Sequence, residues 1–194
     1  KNTNHLCKRV VFYFQTFSKS FANFAKTLCT LRLNPIKLME TVYIKTPLGI
    51  AKITGDGNGV AAISVLDDGI VSEQIPTTLQ ESVSQINEYF AKKRIHFDFK
   101  LNPKGTEFQQ KVWQSLLQIP FGKTRTYLEQ SKVLGDVKAI RAVASANGKN
   151  PLWIVVPCHR VIGTDGSLTG YAGGLWRKKW LLEHENPTNQ QSLF

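Results

Sequence analysis

No stretch of this chain approaches the ~18 consecutive apolar residues that a spanning helix requires, so no membrane partner is expected. Cysteine is scarce, with three in 194 residues at positions 7, 29 and 158. That makes no disulfide framework and points to a reducing, cytoplasmic setting. No second Cys or His lies at ligand spacing around Cys158, and His5, Cys7 and Cys29 stand on a segment without a packable core. Neither a metal nor a cofactor is expected. Methionine occurs once, at Met39, and no acid precedes Glu40.

The net charge of +11 points to a polyanion, with nucleic acid first and an anionic membrane surface second. Residues 1–38 supply +7 of it, through seven Lys/Arg and no Asp or Glu. The remainder carries only +4, so the global charge says little about the folded part. The same 38 residues hold five of the eleven Phe and no Gly. Three readings compete for them: a targeting peptide, an amphipathic membrane-surface helix, or a translated extension upstream of a start at Met39. The last is favoured, because a basic segment without a core stays disordered.

From residue 39, ordinary globular patterning begins. Residues 41–66 alternate apolar and polar types around turns at Thr46-Pro47-Leu48-Gly49 and Gly55-Asp56-Gly57-Asn58-Gly59, a meander of short strands. Over 78–93, Leu79, Val83, Ile86, Tyr89 and Phe90 fall at helical spacing, and 95–101 alternates again and is expected to close the sheet. Residues 39–101 therefore read as a small α/β N-terminal module. Thr106 can cap a helix whose face is Phe108, Val112, Trp113, Leu116 and Leu117. Two short helices follow, over 127–133 and 137–147, across Leu134-Gly135-Asp136, with Asp136 as N-cap and Gly148 as stop. They form a helix-turn-helix candidate. Ala139, Ala142, Ala144, Ser145 and Ala146 keep the second helix slim, while Arg141 projects one long cation. A slim helix can enter a groove that a bulky one cannot, although an ordinary Ala-rich packed helix would look the same.

Residues Trp153-Ile154-Val155-Val156 read as a short buried strand leading into Pro157-Cys158-His159-Arg160. A rigid elbow, a thiol and an adjacent imidazole suggest a reactive cysteine. A free Cys is more often a small buried hydrophobe, so its surroundings must decide.

Those surroundings match a family. Thr106-Glu107-Phe108-Gln109, Val112-Trp113, Ile119-Pro120-Phe121-Gly122-Lys123-Thr124, Tyr127, Arg141-Ala142-Val143, Asn150-Pro151, Pro157 to Gly163, Gly170-Tyr171-Ala172-Gly173-Gly174, Lys178 and Leu181 to Glu185 appear in order. This pattern closely resembles the O6-alkylguanine-DNA alkyltransferases, also called methylated-DNA–protein-cysteine methyltransferases, of bacterial type. The match is dense over 105–185, compatible over 41–101, and absent over 1–38 and the tail.

The resemblance implies a ribonuclease H-like N-terminal module over 39–101. It further implies a mainly helical domain over 102–186 with a winged helix-turn-helix. It implies a monomer that binds double-stranded DNA through the minor groove and flips the damaged nucleotide. Cys158 then takes the alkyl group irreversibly from O6-alkylguanine, or from O4-alkylthymine, once per molecule. By the same resemblance, His159 deprotonates Cys158 through a water molecule and Glu185 orients the imidazole. Asn150 holds the active-site turn, while Tyr127 and Lys178 stabilise the departing guanine at N3 and O6. Arg141 replaces the extruded nucleotide, with Ala139, Ala142, Ser145 and Tyr127 beside the DNA. Val161, Tyr171, Ala172, Gly173, Gly174 and Trp153 are expected around the pocket, Trp153 at its rim. Ala172 stands where some members carry Ser, which removes a hydroxyl contact to the base.

Two other classes fit less well. Inert alkyltransferase-like DNA binders lack the cysteine, and a thiol hydrolase needs an acyl intermediate that a thioether does not provide. Residues 187–194 read as a flexible tail. Its end, Gln190-Gln191-Ser192-Leu193-Phe194, looks like the short peptides by which bacterial repair proteins bind the replication sliding clamp.

Overall fold

Alternation over the first strands translates directly into a sheet. In the computed structural model, which describes residues 38–186, β1 (Glu40–Thr46), β2 (Gly49–Asp56) and β3 (Gly59–Leu66) pair antiparallel in chain order. Val42 lies opposite Ile53, and Ile53 opposite Ile63, so one apolar row crosses the sheet and is fully buried. Gly49 makes the first hairpin possible: its φ is 121°, and a Cβ there would lie 2.2 Å from the Leu66 carbonyl oxygen.

A 3-10 turn, Thr77–Leu79, leads into helix α1 (Gln80–Phe90), which buries Val83, Ile86 and Tyr89. The strand expected over 95–101 does not form. Only Leu101 makes an isolated parallel bridge to Val60, with Val60 N donating to Lys100 O at 2.8 Å. The alternation there serves packing instead, since Phe97 lies against Tyr89 and Phe99 without a ladder.

Helix α2 (Glu107–Leu117) opens with a complete capping box between Thr106 and Gln109. It buries Val112, Trp113 and Leu116, whereas Phe108 and Leu117 lie at the exposed edges of the expected face. Strand β4 (Arg125–Thr126) runs into α3 (Tyr127–Val133), capped by a second box, Thr126 with Glu129. The next helix is shorter than its pattern suggests. A 3-10 turn, Val137–Ala139, is capped by Asp136, and α4 (Ile140–Gly148) follows. Gly148 is the last helical residue rather than a left-handed stop, because its φ is not positive. Strand β5 (Val161–Ile162) pairs parallel with β4, and α5 (Leu175–Glu185) ends the described chain.

One hydrophobic core joins sheet and helices, with Val42, Ile53 and Ile63 in the same cluster as Val112, Val143, Leu152 and Leu181. Among the described residues no helix is long and apolar enough to cross a membrane. The extension expected over 1–38, apart from Leu38, and the tail expected over 187–194 lie outside the described residues.

Candidate active site

Trp153–Val156 are buried as expected but do not form a strand. Leu152 makes a parallel bridge to Ile63 of β3, with Trp153 N donating to Ile63 O at 3.0 Å, and the chain then turns. Val156 N returns to Leu152 O at 3.0 Å, and Ile154 adopts φ 68°. A β-branched residue at positive φ is rare, and such strain costs about 1–3 kcal/mol. Asn150 brackets this turn. Its Oδ1 accepts from Leu152 N at 2.9 Å and its Nδ2 donates to Val156 O at 2.8 Å. An extended strand would carry Val156 O out of reach and forfeit the second bond. Pro157, at φ −81° and ψ 62°, sits in an inverse γ-turn closed by Cys158 N to Val156 O at 2.8 Å. Cys158 then starts a single 3-10 turn, Cys158–Arg160.

The turn fixes both the thiol and its base. Asn150 Nδ2 also lies 3.2 Å from Cys158 Sγ, so its two hydrogens are shared among Leu152 O, Val156 O and the sulfur. Burial pushes the Cys158 thiol up, against the bond from Asn150 and the charge of Lys178. His159 is fully buried, and burial pushes its imidazole down despite Glu185. A neutral ring facing a carboxylate at 2.9 Å carries its hydrogen on Nε2. Nδ1 is therefore the basic nitrogen, and it has no partner among the described residues.

Glu185 is the hub. Burial pulls its carboxyl up, but the bonds and charges of His159 and Arg160 outweigh that and hold it well below the usual range. With His159 neutral, Arg160 balances the charge, through Nε at 2.8 Å and Nη2 at 2.9 Å. Tyr89 Oη donates to Oε1 at 2.8 Å and Gly122 N to Oε2 at 3.3 Å.

Cys158 lies on the wall of a pocket of about 570 Å³, part of it open to solvent. Asn147, Asn150, Trp153, Tyr171, Ala172 and Gly173 line it from the helical part. Ile63, Ser64 and Val65 of β3 line it from the sheet. Trp153 is 6% exposed, so it belongs to the wall rather than the rim. Its Nε1 is near the hydroxyl of Tyr171, whose phenol is pushed well up by burial, against the contact from Trp153.

Other expected site residues are placed around this pocket rather than in it. Val161 is buried in β5, and Gly174 heads α5 at φ 87°. Lys178 is also fully buried, and its Nζ donates to Val161 O at 2.6 Å and Thr169 O at 2.8 Å. Burial pushes that amine down to about 8. Tyr127 stands at the start of α3 beside Asn147 and Thr169, and burial raises its phenol. Arg141, Ala142 and Ser145 are exposed on α4, with Ala139 half-buried just before it.

Sequence reading misses Tyr89, Arg160 and Asn147 as site residues. Arg160 stands inside the quoted Pro157–Gly163 run, so its signal was present. Tyr89 has only a helical core position, which carries no signal of a carboxylate partner.

The chain matches two family models, described as 6-O-methylguanine DNA methyltransferase, ribonuclease-like domain, over residues 39–103, and its DNA binding domain over 107–187. A methylated-DNA–protein-cysteine methyltransferase of Methanosarcina acetivorans is 45% identical over 156 residues, covering 76% of this chain and 98% of the relative. Its counterpart from Mycobacterium bovis is 44% identical over 147 residues, covering 73% and 89%. Among solved structures, Mycobacterium tuberculosis O6-methylguanine methyltransferase superposes with a TM-score of 0.70 at 41% identity, covering 77% of this chain and 94% of that one. M. tuberculosis OGT in complex with DNA gives 0.69 at 44% identity, covering 75% and 91%.

Proposed function

We infer the reaction from descent and site together: this chain belongs to the 6-O-methylguanine DNA methyltransferase family. It is a methylated-DNA–protein-cysteine S-methyltransferase that repairs DNA by direct reversal, moving the alkyl group of O6-alkylguanine onto Cys158. The observation that carries this reading is the thiol on the pocket wall, next in chain to an imidazole whose far nitrogen is held by Glu185.

A buried thiol with a raised pKa is protonated at neutral pH, so a base must act. Neutral His159, with Nδ1 unbonded, is in the form required. Nδ1 accepts the thiol proton through a water molecule, as is the rule in this family, and Glu185 with Arg160 behind it stabilises the imidazolium. Sulfur attacks the alkyl carbon, an S–C bond forms, and the C–O6 bond breaks with its electron pair going to guanine. Guanine takes up a proton and His159 releases one, so thiol and alkylguanine become thioether and guanine. No group in the site can hydrolyse a thioether, and each molecule acts once.

The remaining roles belong to the same proposal. Asn150 holds the turn that presents Cys158, and its bonds to Leu152, Val156 and Sγ support this. Tyr127 donates at guanine N3. Lys178 offers its remaining N–H and its charge near O6, two of its donors being taken by Val161 and Thr169. Helices α3 and α4, joined by Leu134–Asp136, serve as the helix-turn-helix, with β4 and β5 beside them as the wing. Residues 39–101 act as the ribonuclease H-like domain. Arg141 fills the gap left by the flipped base, at an unstacking cost of a few kcal/mol. O4-alkylthymine enters the same pocket. One chain carries every group named, so a monomer suffices, and scarce cysteine is the support for a cytoplasmic setting.

Incubation with O6-methylguanine duplex and mass spectrometry tests the reaction. One methyl per protein, on Cys158, is the expected result, and zero or multiple transfers reject it. The terminal Gln190–Phe194 peptide is proposed to bind a sliding clamp. Clamp pull-down that is unchanged after deleting those five residues rejects that part alone.

A further inference from the structure

We infer that Arg177 is a positioning residue for alkyl transfer: it fastens the pocket loop Gly170–Gly174 to the N-terminal sheet, so that the sheet sets the rate of the chemical step. The inference rests on the function proposed above.

In sequence, Arg177-Lys178-Lys179 looks like a solvated helix face. In the structure Arg177 is only 6% exposed, although its neighbours Leu175 and Trp176 are about half exposed. Burying a guanidinium is costly unless its donors are used. Here all three nitrogens are bonded, each to a different segment. Nε donates to Leu48 O, in the β1–β2 turn, at 2.7 Å. Nη2 meets Asp67 Oδ1, just past β3, at 2.6 Å. Nη1 donates to Gly173 O, in the pocket loop, at 2.8 Å. The Trp176 ring lies 4.3 Å from the guanidinium carbon and covers it.

The loop is held at a useful point. Gly174 N donates to Tyr171 O at 3.0 Å, so the Gly173–Gly174 peptide is bonded at both its carbonyl and its amide. The preceding amides, Ala172 and Gly173, belong to pocket-lining residues and make no backbone bond among the described residues. Ile63–Val65, which line the same pocket, belong to the sheet that anchors Arg177. Arg177 therefore fixes the pocket loop against the strand that lines the same pocket, a Cβ at Gly173 lying 3.5 Å from Val65 Cγ1. Lys could not replace it, because one ammonium cannot span three acceptors on three segments.

The test is single-turnover methyl transfer at saturating O6-methylguanine duplex for wild type, Arg177→Met, Arg177→Lys and Asp67→Ala. Affinity for undamaged duplex and thermal stability are measured alongside. A misplaced wall should slow the saturating rate about tenfold or more in Arg177→Met and about fivefold in Arg177→Lys. Asp67 is largely exposed, so its loss should cost only about twofold. Affinity should stay within about twofold throughout, because the loop is not the groove-binding helix. If Arg177→Met does not fold, the other two variants decide. Wild-type rates in Arg177→Lys and Asp67→Ala, with only stability lowered, make Arg177 a strut and overturn the inference alone. Absence of methyl on wild-type Cys158 overturns the function and this inference with it.

Discussion

Residues 39–101 hold no cysteine and none of the groups that react, whereas residues 102–186 hold Cys158, His159 and Glu185. Judged by motifs, the first region is a buttress and the second is the whole protein. Judged by contacts, the division fails. Tyr89 of α1 bonds the carboxylate that orients His159, β3 forms one wall of the pocket, and the turn at Leu48 anchors Arg177. The reactive groups lie in one region, and their geometry is shared by both.

The largest expected effect tests where the chemistry lies. Cys158→Ala should abolish methyl transfer while leaving duplex affinity unchanged; loss of both would show that the cysteine is structural. Glu185→Gln comes next. Arg160 would keep a buried charge without its partner, at a cost of about 3–5 kcal/mol in folding stability by denaturant titration. Transfer should also slow, because Glu185 raises the basicity of His159 and a Gln cannot. Acid acts on both groups, through the transfer rate for one and through stability for the other. Burial holds His159 below its ordinary value near 6.5, so the wild-type rate should stay level at neutral pH and fall only below that value. Glu185 is held below the unfolded carboxylate value, so its contribution to stability is present above about pH 4.3 and is lost as pH falls from there. The Gln variant should lack that acid-dependent loss.

Tyr89→Phe is the smallest change and bears most directly on the shared geometry. It removes one hydroxyl donor to a carboxylate, worth roughly 1.5–3 kcal/mol. A transfer rate reduced severalfold at saturating DNA would show that the N-terminal module orients the base. A stability loss with an unchanged rate would return the module to a supporting role.

The sequence makes the local parts readable for identifiable reasons. The three strands follow from alternation broken by Gly-rich turns, and α2 and α3 follow from Thr106 and Thr126 with their partners three residues on. Two elements differ from their patterns because one pattern serves two structures. The alternating 95–101 packs phenylalanines without a ladder, and the apolar run before Pro157 is a buried turn because Asn150 bonds both of its ends. The reactive centre was readable as Cys158 beside His159, and Glu185 followed through resemblance. Trp153 is readable as a pocket residue, but its burial in the wall and the bonds of Lys178 to two carbonyls are not, since exposure and donor use depend on the whole packed core.

By itself, the sequence determines which groups are available and in what order, together with the elements whose signals act within a few residues. Turn glycines, capping boxes and the Pro157–Arg160 run are of this kind. Tertiary structure alone decided who holds the site in place. Tyr89 and Glu185 are 96 residues apart, and Leu48 and Arg177 are 129 apart. Backbone propensity does not reach across such separations. Contacts of that span exist only because one core packs the sheet against the helices and brings these polar atoms together where water cannot serve them.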